Sequence, residues 1–437
     1  MEQPQNIKGM RDHLPPAMLL RQHIINTLVG IFERHGFEPI TTPIVEYAET
    51  LEGKLGDEEK LIYRFEDHGG RRVALRYDQT VPLARVVAQY SGQLTLPWRR
   101  YSVGPSYRGE RPARGRYREF WQADADLVGS ASPVADAEII AMLTEALAAL
   151  GFPGFTTLLN HRQVIGGIAR VSGLEEAAAG SVYRAIDKLD KIGPDGVHDE
   201  LQKTGVTEDA ATGILALVQL EGSSADVLHE LRQRLQGDER AMAALANLEA
   251  IIGHLDSMGV SPEQYQVAPR LARGLSYYTG TVFEAITSHW PAGSLLGGGR
   301  YDELIGMFGK QSVPTVGLAF GIDRLHDVME ELGIGPRPQT TAQVYVTVFS
   351  DAQMDASLRL AHELRAAGIH TITTLDGGTN LGKQFKEADK RGLRFALVVG
   401  PDEVERNEVA IRNMQNGAQR TVPRSAAAAV LREMLGM

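Results

Sequence analysis

Between Arg99 and Arg118 the sequence places seven arginines and a single acid, Glu110, in a chain whose formal net charge is -10. A guanidinium group is permanently charged, and its planar fork matches two phosphate oxygens at once. A strand–loop–strand carrying Arg108 and Arg116 can therefore hold a polyphosphate. The same arginines can equally pair with acids on neighbouring segments, and the segment alone does not separate the two readings. Asp124 and Asp126 follow on the second strand. The two-residue period of a strand puts them on one face, where a carboxylate can take the cationic part of a second substrate.

Three later segments carry comparable chemistry. RGLSYYTGTVFEA, from Arg273, joins an arginine to paired tyrosines, Tyr277 and Tyr278, whose hydroxyls can bond a polar ligand or simply sit in a core. LLGGGRYDEL sets three glycines before Arg300 and Asp302, and glycine permits close approach of backbone to ligand. VGLAFGIDRL puts Arg324 at the start of a helix that reads as buried, where an unpaired charge is costly, so it needs a partner or a task. Neither G-x-G-x-x-G nor G-x-x-x-x-G-K-[ST] occurs in these segments, so neither common nucleotide loop applies. Arg108, Arg273 and Arg324 together suggest three cations converging on a triphosphate.

The elements that must position these residues can be read from periodicity. Residues 18–36 have apolar positions at helical spacing, with Gly36 as the stop. FEPITTPIVEY is extended, and residues 61–76 alternate like a hairpin with HGG as the turn. The arginine-rich segment reads as two strands with a loop between them, and 133–150 as a helix opened by Ser-Pro. Residues 161–260 turn to Ala, Glu, Leu and Lys in helical periods. Strands return at TGTVFEAI and SLLGGGRYDEL. IGPRPQTT, 334–341, is a linker, and strand and helix then alternate over an α/β domain.

Composition bounds the rest. A chain of 437 residues suggests about three domains. With no cysteine, disulfides, thiolate metal sites and cysteine nucleophiles are excluded. The start shows no secretory pattern and no stretch is long enough to span a membrane, so a cytoplasmic location is expected. From Thr341 onward 12 basic side chains meet 11 acidic ones, so the acidity lies in the remainder. The C-terminal part is thus compatible with a polyanion, whereas the body is no general polyanion binder.

Taken as a set, these segments resemble the histidyl-tRNA synthetase family of class II aminoacyl-tRNA synthetases, over nearly the whole chain. FEPITTPIVE, with Pro43, is similar to motif 1; VGPSYRGERPARGRYREFWQ to motif 2, with Arg108 as its arginine; VGLAFGIDRL to motif 3, with Arg324. ARGLSYYTGTVFE and LLGGGRYDEL resemble the two histidine-specific motifs, and NLGKQFKEADKRGLRFALVVG the anticodon-binding domain. The resemblance implies an α+β fold: an antiparallel sheet of six or seven strands flanked by helices, with a helical insertion and a C-terminal α/β anticodon-binding domain. The expected division is 1–160 and 261–333 for the two parts of the catalytic domain, 161–260 for the insertion, 334–341 for the linker and 342–437 for the last domain.

It also implies a homodimer that activates L-histidine with ATP and Mg2+, then transfers it to tRNA(His). By resemblance Arg108 and Arg273 are catalytic and hold the α-phosphate from two sides. Arg116 lies near ATP and Arg324 binds its γ-phosphate. Asp78, Thr80 and Gln122 hold the α-amino group, Asp126 and Tyr278 grip the imidazole, and Arg273 and Tyr277 complete the histidine site. No metal-ligating side chain is assigned. Ser276 stands where Asp is usual, Trp121 where His or Tyr is commoner, and Asp323 where Glu is more usual. Two competing readings are the non-catalytic regulatory subunit of ATP phosphoribosyltransferase, a histidine sensor on the same fold, and an RNA-binding sensor. The first generally lacks the anticodon-binding domain and degrades the first histidine motif.

Overall fold

The computed structural model describes residues 3–272, 277–290, 293–309, 311–375 and 380–437. Its packing separates into two units: Met1–Asp12 with His23–Gly335, and His13–Gln22 with Pro336–Met437. Helix α1, Pro15–Arg34, runs through both sets and starts three residues before the stretch whose spacing announces it.

In the first unit the chain continues through β1 (Glu38–Pro39), β2 (Val45–Tyr47), α2 (Ala48–Leu51), β3 (Arg64–Glu66), β4 (Arg72–Leu75) and α3 (Thr80–Gln89). The hairpin β5 (Trp98–Tyr107) and β6 (Glu119–Val128) leads into α4 (Pro133–Ala149) and β7 (Phe155–His161). Six helices follow: α5 (Arg162–Val171), α6 (Glu176–Ile186), α7 (Leu189–Lys203), α8 (Glu208–Val218), α9 (Ser224–Leu235) and α10 (Glu239–Ser257). The sheet is rejoined by β8 (Tyr265–Val267), β9 (Thr281–Thr287), β10 (Leu296–Arg300) and β11 (Thr315–Gly321), with α11 (Ile322–Leu332) after it.

The main sheet has the order β1-β5-β6-β11-β10-β9-β7-β8. Its six central strands are antiparallel, and the two short edge strands β1 and β8 pair parallel to their neighbours. Antiparallel pairing lets a hairpin set the register of adjacent strands directly, without a crossover. A separate sheet, β2-β4-β3, holds the 61–76 hairpin. There Asp67 Oδ1 accepts from the Gly69 and Arg71 N–H groups at 2.8 and 3.0 Å, and Gly70 takes φ 73°, a left-handed conformation that glycine adopts most readily.

Helix α4 starts where Ser132 caps it: the hydroxyl accepts from the Val134 N–H at 3.3 Å and Pro133 supplies a pre-set φ. The insertion from α5 to α10 has its own apolar core, including Ile168, Leu201, Ile214, Leu231 and Leu245. Asp238 caps α10 by accepting from the Ala241 N–H at 2.8 Å, and pairs with Arg170 of α5 at 2.5 Å. The two helices approach closely because α5 presents Gly167, where a Cβ would stand 2.4 Å from that of Ala241.

The second unit carries a five-stranded sheet, β13-β12-β14-β15-β16, parallel through its first three strands and antiparallel thereafter. The strands are β12 (Val344–Val346), β13 (Thr371–Thr373), β14 (Phe395–Val398), β15 (Glu408–Asn413) and β16 (Gln419–Pro423). Helices α12 (Met354–Ala366), α13 (Leu381–Lys390), α14 (Pro401–Arg406) and α15 (Ala427–Leu435) complete it. Val344, Val346, Leu360, Leu364, Phe395, Leu397 and Leu431 form its core. Among the described residues no helix is long and apolar enough to cross a membrane.

Candidate active site

The β5–β6 hairpin sets the floor of the site. Its register pairs Arg100 with Asp126, Ser102 with Asp124 and Gly104 with Gln122, so the three polar residues of β6 share a face. The start of α3 is tied to this floor by a chain of hydrogen bonds. Arg100 Nη1 donates to Ser102 Oγ (2.9 Å), Ser102 Oγ to Gln79 Oε1 (2.6 Å), and Gln79 Nε2 to the Gln122 carbonyl (3.0 Å). All three side chains are buried, so each link also removes a desolvation cost. Next to Gln79, Asp78 Oδ1 accepts from the Val81 N–H at 3.0 Å and Oδ2 from the Tyr277 hydroxyl at 3.3 Å.

Two adjoining cavities open on this floor. The larger, about 400 Å³, is lined by Arg108, Arg116, Gln122 and Arg324, among others. The smaller, about 250 Å³, is lined by Asp78, Thr80, Arg108, Gln122, Asp126, Tyr277 and Tyr278, with Tyr301. Arg108 and Gln122 belong to both, so the cavities share a wall. Arg108 is fixed there by its guanidinium lying 4.2 Å from the Tyr77 ring centroid and 4.9 Å from that of Phe120. Its Nε donates to the Tyr77 carbonyl at 3.4 Å, leaving the remaining nitrogens to the cavities.

In the larger cavity Arg324 is held from behind: Nη1 donates to the Ser294 carbonyl at 2.7 Å and Nη2 to the Gly115 carbonyl at 3.4 Å. Arg116 stands at the tip of the β5–β6 loop, where Ala113 and Arg116 exchange backbone hydrogen bonds of 3.0 and 2.9 Å and Gly115 takes φ 68°. Its side chain is 57% exposed, with Glu110 at 3.4 Å. Asp323 Oδ1 accepts from Arg11 Nη2 at 2.9 Å and Oδ2 from the Trp121 N–H at 2.7 Å, so the residue in place of the usual Glu joins helix α11 to the hairpin.

The smaller cavity is carved by glycines. A Cβ on Gly317 would stand 1.9 Å from Asp126 Oδ1, and one on Gly299 2.9 Å from Tyr278 Cδ1. The glycine run is strand β10, and side chains such as Tyr278 occupy the space it leaves at the cavity wall. Arg300, at its end, turns away to a buried pair with Asp136 and to the Ser130 carbonyl. Burial pushes the carboxyl pKa of Asp78 up, and that of Asp126 up against the opposing pull of Arg100. Burial likewise raises the phenol of Tyr278.

Arg108, Arg116, Arg324, Asp78, Thr80, Gln122, Asp126, Tyr277 and Tyr278 thus line one pair of adjoining cavities. Arg273, with Ser276, lies outside the described residues. Asp124 shares the face of Asp126 but lines neither cavity: it is 1% exposed, its Oδ1 has no hydrogen-bond partner among the described residues, and burial raises its pKa well above the ordinary value. The remaining arginines of the opening segment separate as well. Arg99 pairs with Glu138, Arg100 with Asp126 and Arg114 with Glu331.

Residues 9–325 match the family model described as histidyl-tRNA synthetase, and residues 343–434 that described as anticodon binding domain. The histidine–tRNA ligase of Gloeobacter violaceus is 39% identical, with 96% of each chain covered. The chain belongs to the histidyl-tRNA synthetase family. The histidine–tRNA ligase of Rhodopirellula baltica is also 39% identical, covering 95% of this chain and 94% of its own. The crystal structure of histidyl-tRNA synthetase from Nostoc sp. superposes with TM-score 0.91 at 34% identity, over 99% of this chain and 100% of that one. A Bacillus halodurans structure, described as an ATP phosphoribosyltransferase regulatory subunit/histidyl-tRNA synthetase, gives TM-score 0.74 at 26% identity and covers 88% of this chain and 96% of its own.

Two side chains of this synthetase-family site were not singled out by sequence reasoning. Arg100, fully buried, pairs with Asp126 Oδ2, and the Tyr301 hydroxyl donates to Asp126 Oδ1. Both hold the carboxylate in place. Register would have found Arg100, because it stands opposite Asp126 once the hairpin is aligned. Tyr301 sits inside LLGGGRYDEL but carries no local signal that separates it from a core aromatic.

Proposed function

We propose that the protein is a histidine–tRNA ligase that forms histidyl-adenylate from L-histidine and ATP, then passes the histidyl group to tRNA(His). The observation that carries this reading is Arg108, fixed on the wall shared by an arginine-lined cavity and a glycine-carved one. ATP in the first and histidine in the second would meet at that guanidinium. The histidine carboxylate oxygen bonds to the α-phosphorus as the bond to the β-phosphate oxygen breaks, and pyrophosphate leaves. A ribose hydroxyl of the terminal nucleotide then attacks the acyl carbon and AMP departs. Little covalent work falls to the protein. It aligns the reacting atoms and neutralises charge growing on phosphate oxygens.

Each side chain then has a task. Arg108 holds the α-phosphate, Arg324 the γ-phosphate, and Arg116 closes over the nucleotide from the loop. Arg273 serves as a second cation at the α-phosphate. Asp78, Thr80 and Gln122 take the α-amino group, with Tyr277 orienting Asp78. Asp126 accepts from one imidazole nitrogen while Tyr278 donates to the other, so side chains unable to satisfy both leave buried groups unpaired, at ~1–3 kcal/mol each. Mg2+ arrives with ATP. Glu284, a carboxylate lining both cavities, is a hard oxygen donor of the type it takes, and the ion would supply charge neutralisation on the phosphates.

The same reading extends to partners. Ile44, Val45, Tyr47 and Phe65, 39–49% exposed around the β2-β4-β3 sheet, support a homodimer through the motif 1 region. The second unit would read the anticodon of tRNA(His), in the cytoplasm. Histidine-dependent exchange of pyrophosphate into ATP tests the ligase directly. A folded protein with no exchange would favour the regulatory or sensor role. Removing 341–437 is expected to weaken tRNA charging far more than exchange, and equal losses would overturn a separate RNA-reading domain.

A further inference from the structure

The nucleotide cavity is not walled by the catalytic sheet alone. Asp187 and Lys191, from the junction of α6 and α7 in the insertion, line it together with Arg116 and Arg324. The same four residues border a side cleft of about 410 Å³, whose walls include Leu158, Ile186 and Trp290. Lys191 therefore stands where the two spaces meet, on the side of the distal arginines. Its neighbour Lys188 is committed to Glu200 at 2.5 Å. Lys191 is exposed and makes no ion pair among the described residues. Two residues further on, α7 is broken: Gly193 takes φ 70° and ψ 176°, and Pro194 follows. That break frees the turn carrying Lys191 from the rest of α7, since neither the helical conformation nor the hydrogen-bond ladder continues through it.

We propose that Lys191 is a phosphate ligand which the helical insertion contributes to the nucleotide cavity, its ammonium closing onto the distal phosphates of ATP beside Arg324. The inference rests on ATP occupying this cavity. An ammonium is a compact point charge on a flexible stem, suited to follow a leaving pyrophosphate in a way that a fixed guanidinium fork is not. Of the acids lining the cavity, Glu58 accepts from the Tyr77 hydroxyl, Glu110 pairs with Arg116 and Asp323 with Arg11, while Asp187 and Glu284 face the same space as Lys191. ATP is favoured over the phosphodiesters of tRNA because Lys191 shares its cavity with both arginines that face the triphosphate. The consequence is that the insertion senses whether nucleotide is bound.

The test uses the full-length protein with Mg·ATP as the probe, in a binding arm without histidine and an exchange arm with it. Lys191→Ala and Lys191→Gln are expected to raise the Kd and the KM for ATP by roughly 10-fold. The KM for histidine should stay within about two-fold and the melting temperature should not move, with Lys191→Arg recovering most of the loss. Lys188→Ala should leave every value unchanged. Unaltered ATP binding in both neutral variants would overturn the inference. Wild-type protein that binds ATP but does not exchange pyrophosphate would overturn the ligase reading, while the binding arm still decides on Lys191.

Discussion

The two halves of the active site solve different problems with different materials. The smaller cavity is built from buried groups: Arg100 has a fully buried side chain, Asp126 is gripped at both oxygens, and glycines leave room where a single methyl would collide. The larger is built from long cations on a loop and a helix start, with Arg116 57% exposed. Rejecting a wrong amino acid requires polar groups that cannot relax when left unpaired, which burial enforces. Holding a triphosphate requires charge that can follow it, which exposure permits. On the proposed reading, discrimination is thus placed where the side chains are buried, and charge neutralisation where the cavity is more open to solvent.

Among the described residues Arg108 alone lines both cavities as a cation, so its loss should have the largest effect. Arg108→Ala is expected to lower kcat for pyrophosphate exchange by about 10³-fold or more and to raise both substrate KM values. A variant defective for ATP alone would show that the shared wall does not serve histidine. Next in size is Asp126→Asn, which keeps the shape and removes the charge between Arg100 and the proposed imidazole position. It should reduce kcat/KM for histidine by about 10²–10³-fold while the KM for ATP changes less than about two-fold. Equal damage to both substrates would erase the distinction between the cavities. Arg324→Ala should do the reverse, raising the KM for ATP by about 10–50-fold and leaving histidine binding intact.

This contrast also explains what was legible in the sequence. The antiparallel sheet and the helices announce themselves by period, since one face of each is buried: residues 354–366 and 395–398 follow their apolar spacing closely. β16 escaped because QRTVP has three exposed polar residues in a row and an edge strand needs only one buried face. That Gln122 and Asp126 face one cavity follows from the two-residue period. That Asp124, between them, does not is invisible to it: period fixes the face and not what covers it. Arg100 and Tyr301 were hidden for the opposite reason, since their importance lies in a partner supplied by another strand. The arginine-rich loop was the easiest to notice and the hardest to divide, because pairing with Glu138, Asp126 or Glu331 depends on elements far along the chain.

The smallest effect concerns Asp124 and asks whether burial in the amino-acid half carries a cost that the nucleotide half does not. Its carboxyl is held well above the ordinary range, chiefly by desolvation, with the neighbouring Asp126 and Asp78 adding to the push and Arg100 and Arg76 opposing it. The folded state therefore holds this proton more tightly than the unfolded chain, in which an aspartate titrates near ~3.9. The favourable contribution of the protonated form is complete below that pH and declines as pH rises towards the folded-state pKa. At neutral pH the wild type bears this cost, and Asp124→Asn, which cannot ionise, escapes it. The variant should melt about 1–3 °C higher than wild type at pH 7.5, with the gain shrinking as pH falls and gone below about pH 4. Thermal melts across this range settle the matter: a lower melting temperature for Asp124→Asn at pH 7.5 would mean that its charge is sustained by Arg100 and Arg76, and that the buried half is no more strained than the open one.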